Sequence, residues 1–324
     1  MIFIDPYNPK IGEAKKQHIE KLMPVVLDRI KRLPIGDLKN FLEEYRVRKI
    51  LTDSPAKLEG HHNDWLDAVN SISLNEWKSF LIAKGKQSKS RTAQQTALIS
   101  KYEPILNEVQ SIFNYTKGFA KKTSFYSAYN LAENLNINTC AYCNRIYTKT
   151  VVNPSKITRP EFDHWFPKSS YPLLALSFYN LIPSCHICNS SVKATTIMNT
   201  NDYLHPYIPQ EIDLRFSYWI ESVDKYLFHI KRTFPSKEHN TICAFKVEEI
   251  YESHRDEIND LVRLRKLYSI DYLFKLKSLL SAVDSNISME ELYRLAFGAH
   301  YDSKDFSKRP LSKMKRDILE ELGM

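Results

Sequence analysis

The chain has 324 residues, 43% hydrophobic and 26% charged, which is enough apolar material for a sizeable core in two or three packed units and excludes a disordered chain. A formal net charge of +8 favours an anionic partner, because a basic surface releases the counterions condensed on phosphates, but charge alone does not select a function. No early stretch combines a basic start, an apolar run and a small-residue cleavage site, and no apolar segment approaches bilayer length, so the chain is expected in the cytoplasm with no membrane role.

Residues 1–123 read as an all-α module. Helices are predicted over Ala14–Leu33, Asp37–Ile50, His62–Ser73, Leu74–Ala83 and about Ser90–Phe113, with Ile19, Leu22, Val26 and Ile30 on one face of the first. Asp37 and Ser73 mark starts, Pro34 and Pro55 mark breaks, and Pro24 and Pro104 fall where they would kink or split a helix. The His61-His62 pair has no partner pattern nearby and reads as surface, whereas Trp65, Trp77 and Trp219 sit in apolar periodic segments and read as core.

Residues 124–210 form the second predicted region. Between Thr139 and Tyr207 cysteine, proline, asparagine and β-branched residues crowd together and the helical period is lost. Strands are predicted over Arg145–Val152 and Arg159–Trp165 and a short helix over Cys188–Ile197, giving β, β, α in order. The third region, residues 211–324, opens with alternation through Leu214, Phe216, Tyr218 and Ile220 and again through Tyr226, Phe228 and Ile230. That pattern is a hairpin turning at Val223, Asp224 and Lys225. Helical periodicity returns from Val247 and continues through Tyr272–Ala282, Met289–Phe297 and Ser312–Leu322. The expected class is therefore α+β, predominantly α-helical, with helical regions flanking a compact central motif.

Four of the five cysteines form two pairs, Cys140-Ala-Tyr-Cys143 and Cys185-His-Ile-Cys188, while Cys243 stands apart. In a reducing compartment such pairs point to metal before disulfides, and two of them meeting in space make the tetrahedral four-sulfur site that zinc accepts. A redox pair would be single and would open a helix near a βαβ unit, which the flanks do not match. A closed four-cysteine shell leaves no position for water, so the zinc is expected to be structural.

The loop that zinc would close contains Glu161, Asp163-His164, Lys168 and Asn180, and Asn189 follows the second pair directly. The runs CAYCNR from Cys140, DHWFPKSSYPLLALSFYNLIPSC from Asp163 and CNSSVK from Cys188 resemble the zinc-stabilised HNH (ββα-metal) endonucleases. More narrowly they are similar to a bacterial HNH group associated with anti-phage defence, including nuclease subunits of Septu-like and retron-linked systems. The resemblance covers about Cys140 to Tyr207, and the N-terminal helices carry none of it. By position it makes His164, Asn180 and Asn189 the three letters of an H-N-N variant, with an asparagine where many relatives have a second histidine. It implies DNA as the preferred substrate with RNA as the alternative, an ATPase partner subunit, and an effector role in defence. The chain has no GxxxxGK[ST] loop of its own, so any ATP dependence would come from that partner.

The chemistry asks for the same residue types. Phosphodiester hydrolysis needs a base for the attacking water and a cation at the developing charge. His164 is the natural base, because imidazole titrates near neutrality. Asp163 and the side-chain carbonyl of Asn189 are hard oxygen ligands of the kind Mg²⁺ or Mn²⁺ prefers. Asn180 joins His164 as the residue holding the loop or orienting the histidine, and Lys168 and Lys193 are candidate phosphate contacts. His205 would complete a metal shell, touch substrate, or be a loop histidine satisfied by backbone. His186 is expected beside the knuckle and Glu161 as a solvated charge. The basic clusters at Lys117–Lys122 and Lys304–Arg316 would line a nucleic-acid groove or simply face solvent. The competing functional class is a zinc-dependent nucleic-acid-binding subunit without catalysis.

Overall fold

Asn8 and Pro9 start the first helix earlier than apolar periodicity alone places it. In a computed structural model, which describes residues 1–194, 196–209, 214–223, 225–282 and 286–324, α1 spans Pro9–Lys31. The Asn8 side chain accepts from the Lys10 N–H at 2.9 Å, and Pro9 supplies a fixed φ where no helical bond is lost. Ile11, Ala14, His18, Leu22, Val26 and Ile30 form its buried face, and Pro24 lies within one continuous helix. The segment predicted as one helix over Asp37–Ile50 is two, α2 (Asp37–Phe41) and α3 (Glu44–Thr52). Pro55, expected as a break, instead opens α4 (Pro55–Asn70), where its missing N–H costs nothing. Ser73 caps α5 (Leu74–Gly85), a Thr92–Gln95 capping box opens α6 (Ala93–Ile112), and α7 covers Ala128–Leu135.

By internal contacts the chain divides into two compact units. A helical unit comprises Tyr7–Leu135 and Phe162–Ile182, and a cysteine unit comprises Met1–Pro6, Asn136–Glu161 and Pro183–Met324. The fold is α+β and predominantly helical, and among the described residues it holds two two-stranded sheets. No helix among the described residues is long and apolar enough to cross a membrane.

In the first sheet β1 (Glu161–His164) pairs with β2 (Leu181–Ser184), so the strand predicted over Arg145–Val152 is corrected. That segment alternates well but finds only isolated bridges, Thr139 to Tyr147 and Val151 to Thr158, because its backbone bonds close the first cysteine knuckle instead. The helix predicted over Cys188–Ile197 is a single wide turn over Ile187–Lys193, and Thr195 lies outside the described residues.

Trp65, Trp77, Phe80 and Tyr102 fill the core of the helical unit, and the Trp77 indole N–H donates to the Ser170 carbonyl at 2.9 Å. His62 belongs to this core, contrary to the surface reading. It is 1% exposed, its ring lies 5.3 Å from Trp65 and 4.6 Å from Tyr171, and neither ring nitrogen has a hydrogen-bond partner. Only His61 has the polar setting expected of the pair, bonded to Asp53 at 2.8 Å. Burial pushes His62 down to about 3 from 6.5 and His18 down to about 4.

An unfolded chain therefore binds protons on these histidines that the folded chain refuses. Stability is complete above pH 6.5 and falls as the pH drops toward 4 and then 3. For His62 the limiting loss is on the order of 5 kcal/mol. His62→Leu is expected to shallow the acid limb of urea-unfolding free energy by close to one proton relative to wild type, and parallel limbs would contradict the assignment.

In the cysteine unit β3 (Leu214–Ser222) and β4 (Lys225–Arg232) form the expected antiparallel hairpin, with Phe216 opposite Ile230 and Tyr218 opposite Phe228; Asp224 of the predicted turn lies outside the described residues. Leu214, Phe216 and Ile230 point inward against Tyr251, whose ring stacks on Phe228 at 5.3 Å. Trp219 is on the opposite face and 58% exposed, which corrects its core assignment. Among the described residues five α-helices follow the hairpin before the last: α8 (Lys237–Ala244), α9 (Val247–Tyr251), α10 (Arg255–Leu267), α11 (Ile270–Ser281) and α12 (Met289–Phe297). The last, α13 (Ser312–Glu321), packs on β3, where Asp317 accepts from the Phe216 N–H at 3.1 Å and pairs with Lys313, whose ammonium also donates to the Leu214 carbonyl.

Candidate functional site

In the cysteine unit the Sγ atoms of Cys140, Cys143, Cys185 and Cys188 all lie within 4.8 Å of one another, and all four residues are buried. Cys143 and Cys185 sulfurs are 4.0 Å apart, far beyond a disulfide and near the ~3.8 Å that tetrahedral Zn–S bonds of ~2.3 Å require. Each knuckle aims a backbone N–H at a sulfur, Arg145 at Cys143 and Cys188 at Cys185, both at 3.5 Å. Such donors favour thiolate. Burial pushes the Cys140 thiol well above its usual range, while the hydrogen bond with Cys140 pulls Cys143 down. Four sulfurs this close in an apolar setting become thiolates together only around a cation, so the donor set fits structural zinc.

The first knuckle depends on Asn144, which sequence reasoning passed over. It sits at φ 50°, a left-handed conformation that asparagine tolerates, and its N–H bonds the Cys140 carbonyl at 2.8 Å. Its buried amide donates to Thr139 and to the Phe306 carbonyl, and its oxygen accepts from the Lys313 N–H, tying the knuckle to the start of α13. The Tyr251 hydroxyl donates to the Cys143 carbonyl.

His186 is exposed beside the second knuckle, as expected. Glu161, expected as a solvated charge, is instead held from two sides, by His186 at 2.9 Å and by the Asn189 amide at 2.7 Å. Burial alone would raise Glu161, but these hydrogen bonds outweigh it and hold the carboxyl below its usual range. Because Asn189 donates through its nitrogen, its side-chain oxygen is the atom it would offer a cation. His205 is 2% exposed and its Nδ1 accepts from the Tyr207 N–H at 3.2 Å, which puts the proton on Nε2. Lys193 is 1% exposed, so its ammonium is not presented to solvent as a phosphate contact would be.

Asp163 and His164 belong to the helical unit, 4% and 7% exposed. His164 Nε2 lies 3.0 Å from the Ala175 carbonyl, and a carbonyl only accepts, so Nε2 carries the proton and Nδ1 is the basic nitrogen. The Tyr115 ring meets His164 edge-on, with centroids 4.4 Å apart at 81°. The exposed Lys168 stands over the same tyrosine at 5.3 Å; burial of its stem lowers its ammonium and the charge of Asp163 opposes that shift. Tyr115 and Ala175, which both contact His164, also line an open groove of about 320 Å³ with Asn107, Gln110, Lys117 and Lys168. Lys117 thereby separates from the remainder of its basic cluster as a groove residue. Sequence alone could not find Tyr115 or Ala175, because one acts through its ring and the other through a carbonyl that every residue carries.

Asn180 is fully buried and organises the loop between His164 and Ala175. Its oxygen accepts from the Phe166 N–H at 2.7 Å, its nitrogen donates to the carbonyls of Phe166 and Leu174, and its own carbonyl accepts from the Trp165 N–H. Asn180→Leu strands three buried backbone groups and is expected to destabilise the chain by about 3–5 kcal/mol in urea titrations. Asn180→Asp keeps the shape but turns a carboxylate toward two carbonyls, and should lose a similar amount at neutral pH. A loss under about 1 kcal/mol for both variants would remove Asn180 from this role.

Compared with known protein families, curated proteins and solved structures, the chain matches no family model, no curated protein and no solved structure.

Proposed function

We propose that the chain is a divalent-cation-dependent endonuclease of the HNH type that hydrolyses phosphodiester bonds in nucleic acid, DNA before RNA. The observation that carries this reading is the fixed tautomer of His164. In a histidine next to a buried aspartate on a short strand, with Nε2–H committed to a backbone carbonyl, Nδ1 is the nitrogen whose chemistry suits a general base. Asp163 is a hard oxygen donor suited to Mg²⁺ or Mn²⁺, which would supply charge stabilisation at the phosphate when bound. Lys168 and Lys117, lining the groove beside Tyr115, would hold backbone phosphates. Zinc on the four cysteines would close the two knuckles of the cysteine unit. An effector role in anti-phage defence, gated by an ATPase partner, belongs to the same proposal through the sequence resemblance.

The low exposure of Asp163 and His164 favours a second reading, a zinc-dependent nucleic-acid-binding subunit without catalysis. Plasmid and RNA cleavage with Mg²⁺ or Mn²⁺, comparing wild type with His164→Ala and repeated with co-purified operon proteins, separates the two. Binding without cleavage by wild type in every condition supports the second reading and sinks the first.

A further inference from the structure

The C-terminal part of the cysteine unit gathers three more ligand types. Glu290 lies in the first turn of α12, His300 follows the left-handed Gly298 that ends the helix, and Asp305 lies in the single-turn helix Ser303–Lys308. Their ligand atoms are all within 4.8 Å of one another. His300 is 8% exposed, its backbone N–H is held by the Ser312 hydroxyl at 3.2 Å, and its Nδ1 is buried with no hydrogen-bond partner. The nearest polar atoms are Glu290 Oε1 at 3.8 Å and Asp305 Oδ2 at 4.0 Å, too long for hydrogen bonds.

A buried ring nitrogen without a partner is costly, and here it faces two carboxylate oxygens. We propose that Glu290, His300 and Asp305 form a second divalent-cation site for a metal of the zinc or manganese class, distinct from the four-cysteine cluster. Ligands bonded to one such ion at about 2.0–2.2 Å stand roughly 3.4 Å apart, so the two carboxylate oxygens at 3.8 and 4.0 Å from His300 Nδ1 must each draw in by about half an ångström, and all three atoms already lie within 4.8 Å of one another. One imidazole and two carboxylates suit a borderline dication better than a soft monovalent ion. The other oxygen of Asp305 accepts from Lys308 at 2.8 Å, which fixes the carboxylate with Oδ2 turned inward, as outer partners of metal ligands do. The ion would staple the start of α12 to the turn that precedes α13.

The test uses the full chain loaded with zinc at the cysteines, in an Asp163→Asn background that removes the cation proposed there. Calorimetric titration with Mn²⁺ and then Zn²⁺, with metal content measured by plasma emission, is expected to give one more equivalent than in His300→Ala, or at least tenfold tighter binding. Glu290→Gln, an exposed change that leaves the fold intact, should lose the same equivalent, as should the isosteric Asp305→Asn. Equal stoichiometry and affinity in parent, Glu290→Gln and Asp305→Asn would overturn the site. Cleavage activity is no part of this readout, so the site and the nuclease proposal can fail separately.

Discussion

Stripping the four-cysteine cluster of its metal, or replacing Cys140 with serine, is expected to unfold the cysteine unit rather than merely loosen it. Cys143 and Cys185 are 42 positions apart in sequence, and between the two knuckles the chain leaves this unit at Glu161 and re-enters it at Pro183. What fixes the knuckles in this unit is the cluster itself, helped by Asn144 and the Tyr251 hydroxyl. Apparent zinc-binding energies of about 10–16 kcal/mol in small zinc peptides are as large as the whole stability of a typical domain, about 5–15 kcal/mol. Without the ion, four buried thiols would be left with one another and two long backbone N–H contacts as partners. Melting followed by circular dichroism, with zinc quantified before and after a strong chelator, should show loss of the cooperative transition in step with loss of one zinc. Cys243→Ser, at an exposed position, is the control and should melt like wild type. A chelated chain that keeps its melting temperature would show that the knuckles are held by something other than metal.

The four-cysteine cluster is the most legible part of the molecule, because ligand spacing is a local property of sequence and two CxxC pairs suit a tetrahedral zinc shell. Helices were legible where caps and periodicity agree, as at Ser73 and in the hairpin register that puts Phe216 opposite Ile230. The alternation that turns Phe216 inward turns Trp219 outward, so strand parity rather than residue type decides its exposure. β2 was not readable: Leu181-Ile-Pro-Ser is buried on both faces, has no alternation and contains proline. His62 was misjudged because the groups that bury it, Trp77 and Tyr171, come from other elements. In the candidate site the residue types at Asp163, His164 and Asn180 were visible, but the reason His164 presents one nitrogen rather than the other is a backbone carbonyl, which no side-chain pattern encodes.

His164→Ala is expected to lower metal-dependent cleavage by about 10²–10⁴-fold while leaving zinc content and the melting transition nearly unchanged. The size follows from removing a positioned base and leaving water to be deprotonated by solvent. Specificity of the effect follows from geometry, since the imidazole hydrogen-bonds a carbonyl, Ala175, that water can satisfy in the variant. Two comparisons separate base chemistry from support. Lys168→Ala should raise the substrate concentration needed for half-maximal rate more than it lowers the maximal rate, as expected of a groove lysine that would hold phosphate before and during the reaction alike. Tyr115→Leu removes the ring edge-on to His164 and should lower the maximal rate by less than the alanine variant, since the Ala175 carbonyl still sets the tautomer. If His164→Ala cleaved within about threefold of wild type while Lys168→Ala did not, the histidine would be a structural residue of the β1 strand and the base would have to be sought among the groove residues instead.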